Sequence, residues 1–266
     1  MSDIFSRQSF LGKDSEMLFR EIIVGIVGLG GGGSHIAQQA AHVGVGRFAI
    51  FDPDFADFPN LNRTVGMTFA DALARTPKVI VAERMLKGIN PHAEVWSIPA
   101  KWQSDFQALR ACDVVFGCID GFGGRVQLEE SCRRAMTPLI DIGMDVHRGD
   151  PYSISGQVVV SMPGRPCFRC MGFIRQQDLD DDGRRYGEAG ENPQVVWANG
   201  VLASTAVGLF VQMVTPWCRL RPSSAFVGYD GDGLTLEHDR RLTVTGKTRC
   251  EHFSGIGDLG DPFWKP

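Results

Sequence analysis

The chain has 266 residues, of which 43% are hydrophobic and 22% are charged, and its formal net charge is −4. This length and composition indicate one large α/β domain, or two small ones, with a substantial core. The negative charge argues against a nucleic-acid partner. The amino terminus lacks the apolar run of a signal peptide, and the longest apolar run, residues 201–214, is too short to span a bilayer. We therefore expect a cytoplasmic protein without a membrane partner.

Strand and helix patterns alternate through the first half of the chain. Apolar, β-branched runs predict strands, and apolar residues at helical spacing predict the helices between them. This alternation predicts an α/β fold with a Rossmann-like, doubly wound and mostly parallel sheet. The predicted strands are 23–29, 47–54, 93–98, 112–120 and 137–144, and the predicted helices are 34–44, 71–90 and 125–136.

The second half of the chain has a different pattern, with turn glycines, β-rich runs and one long polar stretch. We therefore expect a nucleotide-binding domain at 1–150. A β-rich C-terminal extension at 151–266 would pack on the same domain, over its ligand face. The elements predicted in the extension are antiparallel strands at 153–166, a surface loop at 175–194, a buried helix at 199–214 and a strand pair at 224–244.

A glycine-rich turn, "GLGGGGS", joins the first predicted strand to the first predicted helix. Gly28, Gly30 and Gly33 fit the pattern G-x-G-x-x-G, in which glycines permit a tight turn, a close approach of phosphate and packing of the helix on the strand. Asp52 ends the next strand, where a carboxylate can bind ribose hydroxyls. The motif alone is weak, but this strand–turn–helix setting predicts a bound nucleotide.

The residues after Asp52 favour a triphosphate over a dinucleotide. Asn60 and Arg63 follow in "PNLNRT", and Lys78 begins the next helical pattern. Two cations and an amide suit a group whose charge changes during reaction. Asp120 ends a strand at the same sheet edge and can hold Mg²⁺ between phosphates. Each of these charged residues, taken alone, could instead form a surface ion pair.

Two other classes of function are weighed against this interpretation. A nicotinamide-dependent oxidoreductase explains the glycine turn and Asp52, but it leaves the basic residues and Asp120 without a role. A non-catalytic scaffold that keeps the fold ranks last, because every candidate nucleotide residue is intact.

The motifs together resemble the ThiF/MoeB/HesA family, the ubiquitin-activating-enzyme-like adenylyltransferases, from about Phe5 to the end of the chain. The departure from the family pattern is Thr64, which replaces the usual Gln of S-N-L-x-R-Q. The matching segments are "GLGGGGS" (28–34), Asp52 and Asp54 of the D-x-D element, "PNLNRT" (59–64), Lys78, "GCID" with Asp120, and "FSRQ" (5–8) with Arg7.

The resemblance implies a reaction and its partners. ATP, with Mg²⁺, would be attacked by the C-terminal carboxylate of a small β-grasp carrier protein ending in Gly-Gly, giving an acyl-adenylate and pyrophosphate. In some relatives the acyl substrate is a small peptide, and that alternative stays open. The activated carrier would pass to a separate conjugating or sulfur-transfer enzyme.

The resemblance also implies roles for single residues. Arg63 and Lys78 would stabilise charge on the α-phosphate and the leaving pyrophosphate, and Asp120 would hold the metal. Arg7 would reach across a homodimer into the phosphate site of the partner. The residues expected to bind the nucleotide are Gly28, Gly30, Gly31, Gly33, Ser34, Asp52, Asp54 and Asn60.

The cysteines suggest a metal site. "CFRC" is a C-x-x-C motif after a Pro-Gly turn, which favours structural zinc. Family members often supply a second C-x-x-C near the C-terminus, where this chain has only "RCEHF". The alternative is a set of free thiols beside a surface Cys-x-His, and Cys218 is a spare candidate ligand. The expected zinc knuckle consists of Cys167, Cys170, Cys250 and His252.

A thioester-forming cysteine is not expected. Relatives that form a thioester or persulfide place a cysteine in the crossover segment after the first zinc pair, and no cysteine occurs here between Met171 and Trp217. Cys112, Cys118 and Cys132 belong to predicted strands or helices and are interpreted as core thiols. The chain therefore resembles the branch of the family that stops at the adenylate.

Overall fold

The computed structural model describes residues 5–185, 193–219, 222–241, 250, 252 and 253. Its centre is one eight-stranded sheet with the strand order β3-β2-β1-β4-β5-β6-β7-β8. The first five strands in that order pair in parallel, and β6, β7 and β8 pair antiparallel. The strands are β1 Ile23–Val27, β2 Arg47–Phe51, β3 Glu94–Ile98, β4 Val114–Gly117, β5 Leu139–His147, β6 Ser153–Ser161, β7 Ala225–Asp230 and β8 Thr235–His238.

Helices cover both faces of the sheet, as the doubly wound prediction requires. The predicted strand–helix alternation of the first half is confirmed. The helices are α1 Ser15–Glu21, α2 Gly31–Val43, α3 Phe69–Ala74, α4 Lys78–Ile89, α5 Phe106–Arg110, α6 Phe122–Arg134, α7 Gln176–Arg185 and α8 Val196–Val214.

The side chains of the central strands alternate between two cores. Val24 and Ile26 of β1 face a core that includes residues of α2, α4 and α8. Val115 of β4 and Leu139 of β5 face a second core that includes residues of α5 and α6. Both sides of these strands are buried, which explains why their sequences are continuous apolar runs without a polar period.

The β-rich extension continues the sheet and does not form a layer above the ligand face. Strand β6 pairs along the whole length of β5, from Leu139 opposite Ser161 to His147 opposite Ser153. The expectation that the extension covers the ligand face was therefore wrong for its strands. Of the predicted last strand pair, residues 242–244 lie outside the described residues.

Three helix predictions need correction. The helix predicted at 34–44 begins at Gly31, inside the glycine turn. The helix predicted at 71–90 is two helices, because Arg75 ends α3 in the left-handed conformation at φ 53° and Pro77 precedes the first residue of α4. The polar stretch after Arg175 was predicted to be a loop, but Gln176–Arg185 is helical.

Helix α8 is longer than its prediction. It has 19 residues, more than the apolar run at 201–214, and by length and composition alone it could cross a bilayer. The helix packs on α2 and on strands β5 and β6. Ala203, Ala206 and Phe210 are completely buried there, which identifies α8 as a core helix of this fold.

Candidate functional site

A cleft of about 570 Å³ lies at the carboxyl ends of four neighbouring strands. Gly28 follows β1, Asp52 follows β2, Asp120 follows β4, and Gly143 lies within β5; all four line the cleft. The chain leaves β1 toward β2 on one side and reaches β4 on the other side, so the cleft lies at the switch point of the sheet. Ligands of doubly wound folds bind at this point.

The glycine turn has the geometry that its spacing predicts. Gly28 has φ 91°, and a side chain on it would collide with the carbonyl oxygen of Cys118. A side chain on Gly33 would collide with the carbonyl oxygen of Gly28, so this glycine lets α2 pack against the turn. The Cβ position of Gly30 faces empty space. The turn therefore leaves room for a ligand at Gly30, next to the free backbone N–H groups that begin α2.

Asp52 is 4% exposed and fixes the glycine turn to β2. Its Oδ2 accepts a hydrogen bond from the Leu29 backbone N–H at 2.6 Å, and its Oδ1 accepts one from the Asp54 N–H at 2.8 Å. Burial raises the pKa of Asp52, and the Lys78 charge and these two N–H groups oppose that rise. The carboxylate thus positions the nucleotide loop directly, whatever it binds in addition.

Lys78 lines the cleft at the first position of α4. Its Nζ lies 2.8 Å from Oδ2 of Asp54, and its backbone N–H donates to the Asp54 carbonyl at 3.0 Å. The lysine side chain is 10% exposed and the Asp54 side chain is 62% exposed. The ammonium group is therefore held in a largely buried position by a carboxylate that can turn toward solvent.

Asn60 and Arg63 lie on the segment between β2 and α3, and both line the cleft. Arg63 Nη1 donates to the Pro59 carbonyl at 2.6 Å and to Asn62 Oδ1 at 3.1 Å, and the residue is half-buried. The segment is fastened to α2 by Ser34, whose Oγ accepts from the Val65 N–H at 2.9 Å.

Two of the predicted nucleotide residues lie behind the cleft. Gly33 and Ser34 are buried and do not belong to its described lining. Ser34 also donates to the Gly31 carbonyl at 3.0 Å, so its hydroxyl is occupied by the turn and by the Arg63 segment. The structure gives both residues a supporting position, while Gly28, Gly30 and Gly31 face the cleft.

Arg7 is exposed and lies far from the cleft of its own chain. Its segment is fixed at the carboxyl end of α2, where Gln8 Nε2 donates to the Val43 carbonyl at 2.9 Å and the Phe5 ring lies over Gly44. The amino end of α2 faces the cleft, and a helix of 13 residues is about 20 Å long. Arg7 therefore lies at the wrong end of α2 to reach the cleft of the same chain.

The four predicted zinc ligands come together away from the cleft. The candidate ligand atoms of Cys167, Cys170, Cys250 and His252 all lie within 4.8 Å of one another. His252 Nδ1 is 3.4 Å from Cys167 Sγ and 3.3 Å from Cys170 Sγ, and the sulfurs of Cys170 and Cys250 are 3.8 Å apart. These separations suit a tetrahedral zinc ion with bonds of about 2.0 to 2.3 Å.

A buried polar network supports the C-x-x-C turn. Glu129 of α6 accepts from the Phe168 N–H at 2.9 Å and from the Ser161 hydroxyl. Arg133, one turn later, donates to Ser161 and to the carbonyls of Arg165 and Pro166. Burial raises the pKa of Glu129 to about 7, and the Arg133 charge opposes the rise. Helix α6 therefore positions the turn that carries Cys167 and Cys170.

The sequence interpretation missed an ion pair at the floor of the cleft. Arg125 of α6 lines the cleft, is 8% exposed, and pairs with Asp141 of β5, which is completely buried. The available signal was the acidic residue inside the apolar run "LIDI", because a buried carboxylate needs a partner. Cys118, interpreted as a core thiol, is half-buried and also lines the cleft.

Comparisons with known proteins agree with this geometry. The pattern that defines the ThiF family matches residues 5–251. The chain is 34% identical over 166 residues to the molybdopterin-synthase adenylyltransferase of Escherichia coli K12, covering 61% of this chain and 60% of that protein. It is 28% identical over 225 residues to the sulfur carrier protein ThiS adenylyltransferase of the same organism, covering 82% and 84%.

Another relative, the SAMP-activating enzyme E1 of Haloferax volcanii, is 32% identical over 148 residues. That match covers 55% of this chain and 52% of the relative, so the chain spans about half the length of that protein. Among solved structures, E. coli MccB with ATP superimposes with a TM-score of 0.70 at 20% identity, covering 90% of this chain and 71% of that one. This likeness concerns the fold. Because the family pattern matches nearly the whole length of this chain, the chain belongs to the ThiF family.

Proposed function

We propose that the chain is an ATP-dependent adenylyltransferase that activates the C-terminal carboxylate of a small ubiquitin-like or sulfur-carrier protein. The observation that carries the proposal is the lining of one cleft by the glycine turn, Asn60, Arg63, Lys78 and Asp120. A fold alone does not define an activity, but this set of groups suits a triphosphate and a developing negative charge. The adenylyltransferase names of several relatives support the same reaction.

The proposed reaction is a displacement at the α-phosphorus. A carboxylate oxygen of the carrier attacks phosphorus, the bond to the bridging oxygen of the β-phosphate breaks, and pyrophosphate leaves with that electron pair. The carboxylate is already ionised at neutral pH, so no general base is required. The chain's contribution is alignment of the two reactants and stabilisation of charge on the leaving group.

The residues of the cleft would have separate roles in this reaction. The turn at Gly30 and the amino end of α2 would receive phosphate oxygens, and Arg63 and Lys78 would approach the charge that builds during displacement. Asp120, an exposed carboxylate at the end of β4, is the residue that would hold Mg²⁺, which neutralises phosphate charge when bound. Asp52 would accept from the ribose hydroxyls while it fixes the turn.

Arg7 enters the proposal through a second copy of the chain. Its position at the carboxyl end of α2 excludes a role in its own cleft, and its side chain is exposed. We propose a homodimer in which Arg7 of one subunit approaches the phosphate site of the other. An arginine delivered in this way adds charge stabilisation without occupying the cleft before assembly.

The proposed acyl substrate is a β-grasp carrier ending in Gly-Gly. Relatives named for molybdopterin synthase, a sulfur carrier protein and ubiquitin-like modifiers support this class. The chain has no cysteine between Met171 and Trp217, so the proposed product is the acyl-adenylate. A separate conjugating or sulfur-transfer enzyme would then receive the activated carrier.

We also propose a structural zinc ion at Cys167, Cys170, Cys250 and His252. Three thiolates and one imidazole form an accepted zinc ligand set, and their atoms already lie at suitable separations. The ion would join the C-x-x-C turn to the C-terminal segment, and none of its four ligands lines the cleft.

An exchange assay tests the proposed function. The purified chain is incubated with ATP, Mg²⁺, labelled pyrophosphate and one member of a panel of β-grasp carriers ending in Gly-Gly. The matched controls are the same carriers without the last glycine and short peptides with free C-termini. Carrier-dependent label in ATP is the expected result. Exchange with peptides alone would change the substrate class, and no exchange with any acceptor would contradict the proposal.

A further inference from the structure

Arg125 is a cleft residue with no role in the nucleotide site described above. It lies in the first turn of α6, immediately after the Asp120 segment, and its guanidinium is almost completely buried. Nη1 donates to Asp141 Oδ1 and to the Ile142 carbonyl, the latter at 3.0 Å. Asp141 lies in the middle of β5 with no exposed surface. A carboxylate there without a cation would be strongly destabilising, so the pair fixes the position of the arginine.

The other donors of Arg125 remain available to a ligand. In the part of the chain that the structure describes, the hydrogen bonds of this guanidinium are all made by Nη1. Nη2 lies beside Gly143: a Cβ atom on that glycine would be 2.6 Å from Nη2. Gly143 lines the cleft, so Nη2 lies beside a residue without a side chain at the cleft surface.

The position of Arg125 in the sheet identifies the part of the reactants that it faces. Asp52 follows β2 and Gly143 lies in β5, and these strands are three positions apart in the sheet. That separation is about 14 Å. The glycine turn after β1 and Asp120 after β4 lie between them. Arg125 is therefore on the far side of the proposed phosphate site from the proposed ribose site, a position from which it can contact an acyl substrate at the α-phosphate.

We propose that Arg125 binds the terminal carboxyl group of the acyl substrate through Nη2 and Nε, first as the free carboxylate and then as the acyl-adenylate carbonyl. This inference rests on the proposed adenylyltransferase function and names a residue that selects a carboxyl-terminated, side-chain-free tail. Gly143 is the matching specificity residue, because its lack of a side chain gives Nη2 its place and keeps the passage open for a tail of glycines. The buried Asp141 is a positioning residue that acts through Arg125.

The test uses two nucleotide probes that differ only at the acyl side. The first is 5′-O-[N-(glycylglycyl)sulfamoyl]adenosine, a stable analogue of a Gly-Gly adenylate, and the second is adenosine 5′-sulfamate, which lacks the acyl group. Their dissociation constants are measured by calorimetry for the full chain, for Arg125→Lys, for Gly143→Ala and for the double variant that carries both changes. Arg110→Lys, an exposed arginine at the end of α5, is the control. Lysine keeps a charge beside Asp141, and the Cβ of Gly143→Ala would lie 2.6 Å from Arg125 Nη2 and from Gln157 Nε2, so this variant displaces the ends of those two side chains.

The expected result is a loss of affinity for the glycylglycyl probe alone. Each variant binds the glycylglycyl probe about tenfold or more weakly, which is the size of one lost hydrogen bond to a charged group. The double variant shows little additional loss, because both changes remove one interaction. Affinity for adenosine 5′-sulfamate stays at the wild-type value. Equal affinity of wild type and both variants for the glycylglycyl probe would overturn the role of Arg125. Failure of the wild type to bind either probe would instead contradict the proposed function, and this inference with it.

Discussion

Lys78 and Asp54 form an ion pair at the edge of the cleft, with 2.8 Å between Nζ and Oδ2. The lysine is nearly buried and the aspartate is mostly exposed, so the pair orients a cation toward the nucleotide loop. A phosphate oxygen can take the place of the carboxylate, because Asp54 can move toward solvent at little cost.

This ion pair predicts that substitutions of its two residues have different effects on MgATP binding. Lys78→Ala should raise the dissociation constant for MgATP by about tenfold or more, since a charge-assisted hydrogen bond to phosphate is lost. Asp54→Ala should leave it nearly unchanged, because the ammonium remains. Calorimetric titration of both variants measures the difference. An equal loss in both would mean that the pair itself, and not the lysine, is required.

Two glycines of the turn should differ in what they contribute. Gly33→Ala places a Cβ against the Gly28 carbonyl and should lower the free energy of unfolding by about 3 kcal/mol, the upper end of the range for overpacking. Gly30→Ala meets no atom and should fold normally, but it should weaken ATP binding because the methyl group occupies the ligand's space. Thermal denaturation and ATP titration of each variant separate the two effects. A stable Gly33→Ala variant would show that α2 can shift away from the turn.

The metal site predicts one zinc ion per chain. Cys170→Ser should release it, because three remaining ligands hold zinc poorly. Cys218→Ser is the matched control, since Cys218 lies outside the ligand cluster. Metal analysis of protein purified without added zinc gives the ratio directly. Folded wild-type protein without metal, or equal zinc in both variants, would contradict the assignment.

The ion pair between Asp71 and Arg84 predicts how the free energy of unfolding depends on pH. Asp71 accepts two hydrogen bonds from Arg84, at 2.7 and 2.6 Å, and completes the capping box of α3 with Thr68. These hydrogen bonds hold the pKa of Asp71 well below its ordinary value of 3.8. The stabilisation is therefore complete above pH 3.8 and decreases as the pH falls below it.

Asp71→Asn should accordingly cost about 1 kcal/mol near neutral pH, the size of a lost helix cap, and less at pH 3. Denaturant unfolding of wild type and variant at the two pH values gives the comparison. A difference that grows as the pH falls would mean that the carboxylate is not stabilised as described.

The dimer predicts complementation between two inactive variants. Arg7→Ala lacks the arginine supplied to the other subunit, and Asp120→Ala lacks the metal ligand of its own cleft. A mixed dimer keeps one complete site, so reassociated equal mixtures should recover roughly one quarter of the wild-type exchange rate with a carrier that supports exchange. Light scattering confirms the oligomeric state. Absence of recovery in a mixture that contains mixed dimers would remove Arg7 from the partner's site.

The sequence predicted what depends on local spacing. The glycine turn, Asp52 and Asp120 were placed at one sheet edge because each follows a strand pattern. The carboxyl ends of parallel strands lie at the same edge of a sheet. The C-x-x-C half of the Cys–His cluster was predicted from its spacing, Cys250 and His252 were added from the family resemblance, and the four residues come together. Helix α7 was missed because it has no apolar stripe; Asp178 accepts from the Arg175 N–H at 2.8 Å and from the Arg175 side chain, which stabilises its first turn.

Features that depend on distant partners were not predictable in this way. The pairing of Arg125 with Asp141 joins a helix to a strand and has no spacing that defines it. The position of Arg7 relative to the cleft follows from the contacts of Phe5 and Gln8 at the carboxyl end of α2, which no pattern in residues 5–8 encodes. The extension of the sheet by β6 follows from its full-length pairing with β5.

The central claim is that the cleft binds ATP for adenylation, and calorimetry with MgATP and with NAD tests it most directly. We predict that MgATP binds, that NAD gives no heat of binding, and that Arg63→Ala weakens MgATP binding about tenfold or more while Arg110→Ala does not. Binding of NAD without binding of MgATP would contradict the account: the glycine turn would then serve a dinucleotide, and the roles given to Arg63, Lys78 and Asp120 would be wrong.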